Sequence, residues 1–145
     1  NNSNPRGMKA LNKANPVLSS RGVGASGARD PSIYNKQDGS YIVMATDSNI
    51  SAAGFNFDQL SRTGSKYLLF WDSVGSDLTR WGGVRRVRIA TATMGMAWSP
   101  EAILDPSKNQ YLVTFATRIF AASDTNHTGT ASQFQIWAAY TSDFK

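Results

Sequence analysis

Arg29-Asp30-Pro31 sets a carboxylate immediately before a proline, at the entry to an apolar strand. A carboxylate so placed can take a proton from a water as a general base, the task that inverting hydrolysis of a glycoside assigns to one member of a separated acid pair. Asp-Pro also initiates turns, and that role needs no catalysis. Met96-Ala97-Trp98-Ser99-Pro100-Glu101-Ala102 occupies the corresponding place further along and adds a tryptophan and a second carboxylate. Trp98 can offer its flat apolar face to the C–H groups of a sugar ring, or it can belong to the core. Glu101 can serve as an acid or base, or hold a backbone amide or an arginine.

Other chemistries have little material to work with. The 145 residues include no cysteine, which removes thiolate nucleophiles, zinc knuckles and disulfides. The one histidine, His127, sits in the polar run Asp124-Thr125-Asn126-His127-Thr128-Gly129 with no second His or Cys at ligand spacing. It is expected to be a solvated loop residue, and neither a metal nor a cofactor is expected. Asn1-Asn2-Ser3, Asn49-Ile50-Ser51 and Asn126-His127-Thr128 are N-glycosylation acceptors, which favours a secreted protein and places Asn49 and Asn126 at the surface. No stretch approaches the roughly 18 apolar residues of a membrane span, and Asn1-Asn2-Ser3-Asn4 lacks the regions of a signal peptide. The net charge is +5, with basic residues gathered between Arg80 and Arg88. There Arg86 and Arg88 alternate with Val87 and Ile89, the period of a strand with one wet face, so nucleic acid is not the expected partner.

The elements that must position these residues are strands. Runs 41–46, 66–71, 84–89, 110–117 and 134–140 are rich in β-branched and aromatic residues, and Asp38-Gly39-Ser40, Thr63-Gly64-Ser65 and the stretch 105–109 supply turn signals between them. The strands also recur. Pro31 and Pro100 stand 69 residues apart (100 − 31), Tyr41 and Tyr111 stand 70 apart (111 − 41), and Ser76-Asp77 and Ser142-Asp143 repeat at 66 (142 − 76). Recurring four-strand units are the pattern of propeller blades. The expected fold is all-β, about two blades of a propeller, with a lead-in over 1–25, a first blade unit over 26–90 and a second over 91–145. Two blades do not close a ring. The remaining blades are expected from missing sequence, a cleaved partner chain or self-association.

Residues 24–33, 38–47, Trp71-Asp72-Ser73, 76–81 and Ala97-Trp98-Ser99-Pro100-Glu101-Ala102-Ile103 resemble, in order, successive landmarks of glycoside hydrolase family 43. The resemblance covers nearly the whole chain. It implies a five-bladed propeller that removes arabinose, xylose or related sugars from plant polysaccharides with inversion. It implies that Asp30 is the general base, and that Arg29, Trp98 and Glu101 serve substrate binding. In the family an aspartate that tunes the acid follows the strand matched by 136–144, and the glutamate acid lies a blade further on. Neither falls within this chain, and Glu101 matches a motif residue other than that acid. Ser99 stands where the family usually has alanine. The expected function is therefore part of an inverting glycoside hydrolase acting on carbohydrate, carrying the base only and inactive by itself. The alternative is a non-catalytic carbohydrate-binding or structural propeller piece.

Overall fold

Runs of β-branched, aromatic and other apolar residues become strands here, and the turns between them are closed by short polar side chains. The computed structural model describes Gly7 and residues 12–145; the Asn1-Asn2-Ser3 acceptor lies outside the described residues. Five strands form one antiparallel sheet: β1 (Ala28–Asn35), β2 (Tyr41–Asp47), β3 (Tyr67–Val74), β4 (Asp77–Trp81) and β5 (Arg85–Arg88). Their order is β1-β2-β3-β4, with β5 also pairing β3. A second sheet runs β6-β7-β8, from β6 (Trp98–Asp105), β7 (Gln110–Thr117) and β8 (Gln135–Thr141). The one α-helix among the described residues, α1 (Phe57–Thr63), is inserted between β2 and β3.

Both sheets begin with a hairpin whose turn is held by an aspartate and the serine two residues on. In the first, the Asp38 carboxylate accepts the Ser40 amide at 2.9 Å and its hydroxyl at 2.6 Å, while Gly39 takes φ 80°, a conformation glycine adopts without steric cost. In the second, Asp105 holds the Ser107 amide at 2.9 Å and its hydroxyl at 2.6 Å. Both opening strands also break register just before a proline, between Arg29 and Ser32 in β1 and between Trp98 and Glu101 in β6. The residue that precedes each proline is left-handed: Asp30 at φ 48° and Ser99 at φ 51°.

The sheets pack face to face as neighbouring blades. Ile42, Met44, Leu68 and Phe70 from the first sheet meet Tyr111, Val113 and Phe115 from the second in one buried cluster, closed at one end by Phe144. On its other face the first sheet buries Val43, Ala45, Leu69 and Trp71 beneath Leu18 and Val23 of the lead-in. Asp47, at the end of β2, is buried but matched: its carboxylate accepts the Ala25 amide at 2.7 Å, the Ser65 hydroxyl at 2.8 Å and an Arg86 nitrogen at 3.0 Å. Arg85 is likewise paired with Asp72 at 2.7 Å, so the basic strand meets carboxylates within its own blade. The chain is all-β in class, with the architecture of part of a β-propeller.

His127 differs from the expectation of a solvated loop residue. It is buried and stacks on Phe120 with ring centroids 4.3 Å apart. Its Nδ1 lies 2.6 Å from the Arg62 carbonyl and its Nε2 3.0 Å from the Ala92 carbonyl. The polar residues around it cap the loop while the ring itself is drawn inward, where a neutral imidazole can donate to one of these two carbonyls.

Candidate active site

A pocket of about 220 Å³ opens where the two blades meet and α1 covers their edge. It is lined by Arg29 and Asp30 of β1, Thr46 of β2, Ser48, Phe55, Phe57 and Leu60 around α1, and Trp98 and Ser99 of β6. The bulges in β1 and β6 therefore bring Asp30 and Ser99, two pseudo-equivalent residues, to one cavity. Among the described residues the carboxylate of Asp30 receives one hydrogen bond, from the Thr46 hydroxyl at 3.2 Å. Arg29 does not partner that carboxylate; its guanidinium lies 5.9 Å from the centre of the Phe57 ring.

The apolar side of the pocket is aromatic. Trp98 is stacked near Phe134 with centroids 6.2 Å apart at 24°, and meets Phe57 edge to face at 5.7 Å. Phe57 in turn meets Phe55 edge to face at 5.2 Å. Phe57 and Phe134 are 55% and 56% exposed, so these rings face solvent and are not core; of the two, Phe57 lines the pocket.

Helix α1 holds its two pocket residues rigidly despite its seven residues. Asn56 caps it by accepting the Gln59 amide at 2.9 Å, and Asp58 pairs with Arg62 one turn on at 2.9 Å. Several contacts then fasten it to the second blade, among them an Arg118–Asp58 ion pair at 3.6 Å. Arg118 donates to the Ser61 hydroxyl at 3.1 Å, Arg62 donates to the Gly129 carbonyl at 2.9 Å, and His127 reaches the Arg62 carbonyl. Gly95 allows this approach, since a Cβ there would overlap the Ser61 carbonyl.

Of the residues singled out from sequence, Asp30, Arg29 and Trp98 come together in this pocket and Glu101 does not. Glu101 is exposed, opposite Thr114 in the β6–β7 register and on the face turned away from the first blade. Asn126 is exposed, whereas Asn49 is half-buried with its side chain accepting the Ser51 amide at 3.0 Å. The pocket residues that the sequence reading passed over are Thr46, Ser48, Phe55, Phe57 and Leu60. An Asn-Phe-Asp-Gln start followed by Gly64 was a usable helix signal, and a threonine inside a strand buried on both faces was a usable polar one. Among the described residues no cluster of His, Cys, Asp and Glu could hold a metal ion, and no helix is long and apolar enough to cross a membrane.

A family described as a probable glycosyl hydrolase domain, related to family 43, matches residues 1–145. An alpha-L-arabinofuranosidase of Bifidobacterium longum subsp. longum is 31% identical over 150 aligned residues, an alignment that takes in 94% of this chain. The chain spans 14% of the length of that relative. No solved structure matches. A family match over the full chain, on a propeller-type fold whose pocket holds the Asp-Pro aspartate, makes this chain a member of the family-43-related glycosyl hydrolase domains.

Proposed function

We propose that this chain contributes the general base and one wall of the sugar site to an inverting glycoside hydrolase that releases arabinose- or xylose-type sugars from plant polysaccharide. The observation that carries the proposal is Asp30, the one carboxylate lining a pocket whose other wall is Trp98 and Phe57. An aromatic wall suits the C–H face of a sugar, and a carboxylate beside it suits a water held against the anomeric carbon. Inversion needs a second carboxyl roughly 6.5–9.5 Å from the base. No other carboxylate lines the pocket among the described residues, so in this reading the acid and its tuning aspartate come from further blades. The resemblance to the Bifidobacterium alpha-L-arabinofuranosidase supports arabinose as the first sugar to try. We further place the protein outside the cell, where polymeric substrate is met, with exposed Asn126 the better of the two described acceptors for a glycan and half-buried Asn49 the poorer.

Asp30→Asn tests the assignment in the complete protein. The amide keeps the shape and removes the basic oxygen, so turnover of an aryl α-L-arabinofuranoside should fall by about 10²–10⁴-fold. Sugar affinity and melting temperature should hardly move. Turnover that survives the substitution would leave Asp30 as a turn initiator and favour the non-catalytic carbohydrate-binding alternative.

A further inference from the structure

We propose that Thr46 is the positioning residue that aims the Asp30 carboxylate, a proposal that rests on Asp30 being the base. The left-handed turn before the proline is shared by both blades, at Asp30 with φ 48° and at Ser99 with φ 51°. A device present in both is architectural: it swings the residue before each proline out of the strand and toward the pocket. What differs is the neighbour across the ladder. Arg29 pairs with Thr46 in the first blade, and Trp98, its counterpart, pairs with Ala116 in the second. A hydroxyl therefore stands beside the bulge only in the blade whose turned-out residue is a carboxylate.

The direction of the hydrogen bonds follows from the partners. The Ser99 amide can only donate, and it does so to Thr46 Oγ1 at 2.8 Å. That contact occupies a lone pair of the hydroxyl and leaves its proton for the carboxylate oxygen 3.2 Å away. Thr46 is 2% exposed, so water does not compete for that proton. A β-branched side chain is stiff about χ1, which makes Thr46 a better fixed donor than a flexible residue would be. One oxygen of Asp30 is thereby tied to the packed interior, and the other is left to a water. Because the amide comes from β6 and the carboxylate from β1, the aim of the base depends on how the two blades pack.

The test compares Thr46→Val, Thr46→Ser and Asp30→Asn in the complete protein, using an aryl α-L-arabinofuranoside and thermal melting. Thr46→Val keeps the shape and deletes the donor. Loss of a hydrogen bond to a charged group and of its alignment should lower kcat by about 10–100-fold with KM within about twofold. Thr46→Ser restores the hydroxyl and should recover most of kcat. Full kcat in Thr46→Val, or a Thr46→Ser enzyme as slow as Thr46→Val, overturns the proposal. So does a loss expressed in KM and melting temperature with kcat unchanged. If Thr46→Val does not fold, Thr46→Cys replaces it, with similar size and a weak donor, and its kcat should lie between wild type and Asp30→Asn; an unchanged kcat overturns the proposal. An inactive Asp30→Asn beside a fully active Thr46→Val leaves the base standing and removes only Thr46. Turnover surviving in Asp30→Asn removes the base, and the role of Thr46 with it.

Discussion

Phe57 joins the two halves of the pocket at the level of single residues. Its ring lies under Arg29 of the first blade and against Trp98 of the second, yet more than half of its surface is exposed. Removing it should cost the fold little, because an exposed ring loses few core contacts on truncation. A bound sugar would lose an aromatic contact of about 0.5–1.5 kcal/mol. Phe57→Ala in the complete protein is therefore expected to raise KM for an arabinofuranoside by about 3–10-fold, with the melting temperature almost unchanged; steady-state kinetics and a melt together check this. An unaltered KM would show that the wall of the sugar site lies elsewhere. Part of this site was legible in the sequence because Arg29-Asp30 and Trp98-Ser99 precede prolines at matching points of a repeat. Phe57 and Thr46 gave only local hints, a helix start and a polar residue in an apolar strand, since their place at the site depends on tertiary contacts: a seven-residue helix seated on another blade and a cross-strand partner set by register. His127 escaped for a related reason, as a polar loop sequence does not reveal which of its side chains turns inward.

Strand-level stability has a pH-sensitive fastening at the turn between β6 and β7. The carboxyl of Asp105 is held far below the usual carboxylate range, first by the Ser107 hydroxyl, then by the Tyr140 hydroxyl, with the Ser107 amide and Lys108 adding to both. Through the 2.8 Å bond from Tyr140 it also ties β6 to β8 across the sheet. A carboxylate whose folded pKa is depressed stabilises the fold fully above its unfolded value near 3.9 and loses that contribution as pH falls below it. Asp105→Asn should accordingly melt below wild type at pH 7, and the gap should narrow as pH is taken from about 4 toward 2. Melting curves at pH 7, 4 and 2 decide it; a gap that widens in acid would contradict the assignment. At this scale the sequence was most informative where β-branched and aromatic residues run together. The run 110–117 is β7 as predicted, and 41–46 falls one residue short of β2. Strand β1 was harder to delimit because Pro31 sits inside it, tolerated only through the register break at its bulge. Helix α1 is too short for periodicity to show and rests on its cap, its ion pair and its anchors.

The two blades also explain what the molecule as a whole leaves open. Residues 70 apart (112 − 42, 114 − 44) occupy the same place in their blades, so Leu112 and Thr114 correspond to Ile42 and Met44. In the first blade that face is sealed by the second, and Ile42 and Met44 are wholly buried. In the second blade Leu112 and Thr114 are only half-buried, and Ile103 and Ile136 on the same face are 62% and 73% exposed. Strand β8 adds an edge with no strand beyond it among the described residues. A face built to the pattern of a buried one, beside an open edge, should bind another sheet. Residues 1–145 prepared alone are thus expected to self-associate, and light scattering should give a mass above the 15.8 kDa of one chain. Ile136→Lys puts a charge on that face at its most exposed large apolar side chain, where folding has little to lose. It should shift the population toward monomer without lowering the melting temperature. A monomeric wild-type preparation of residues 1–145 that melts cooperatively would show that two blades suffice. Association undiminished by Ile136→Lys would move the contact to the β8 edge, where backbone groups, rather than apolar side chains, make the join.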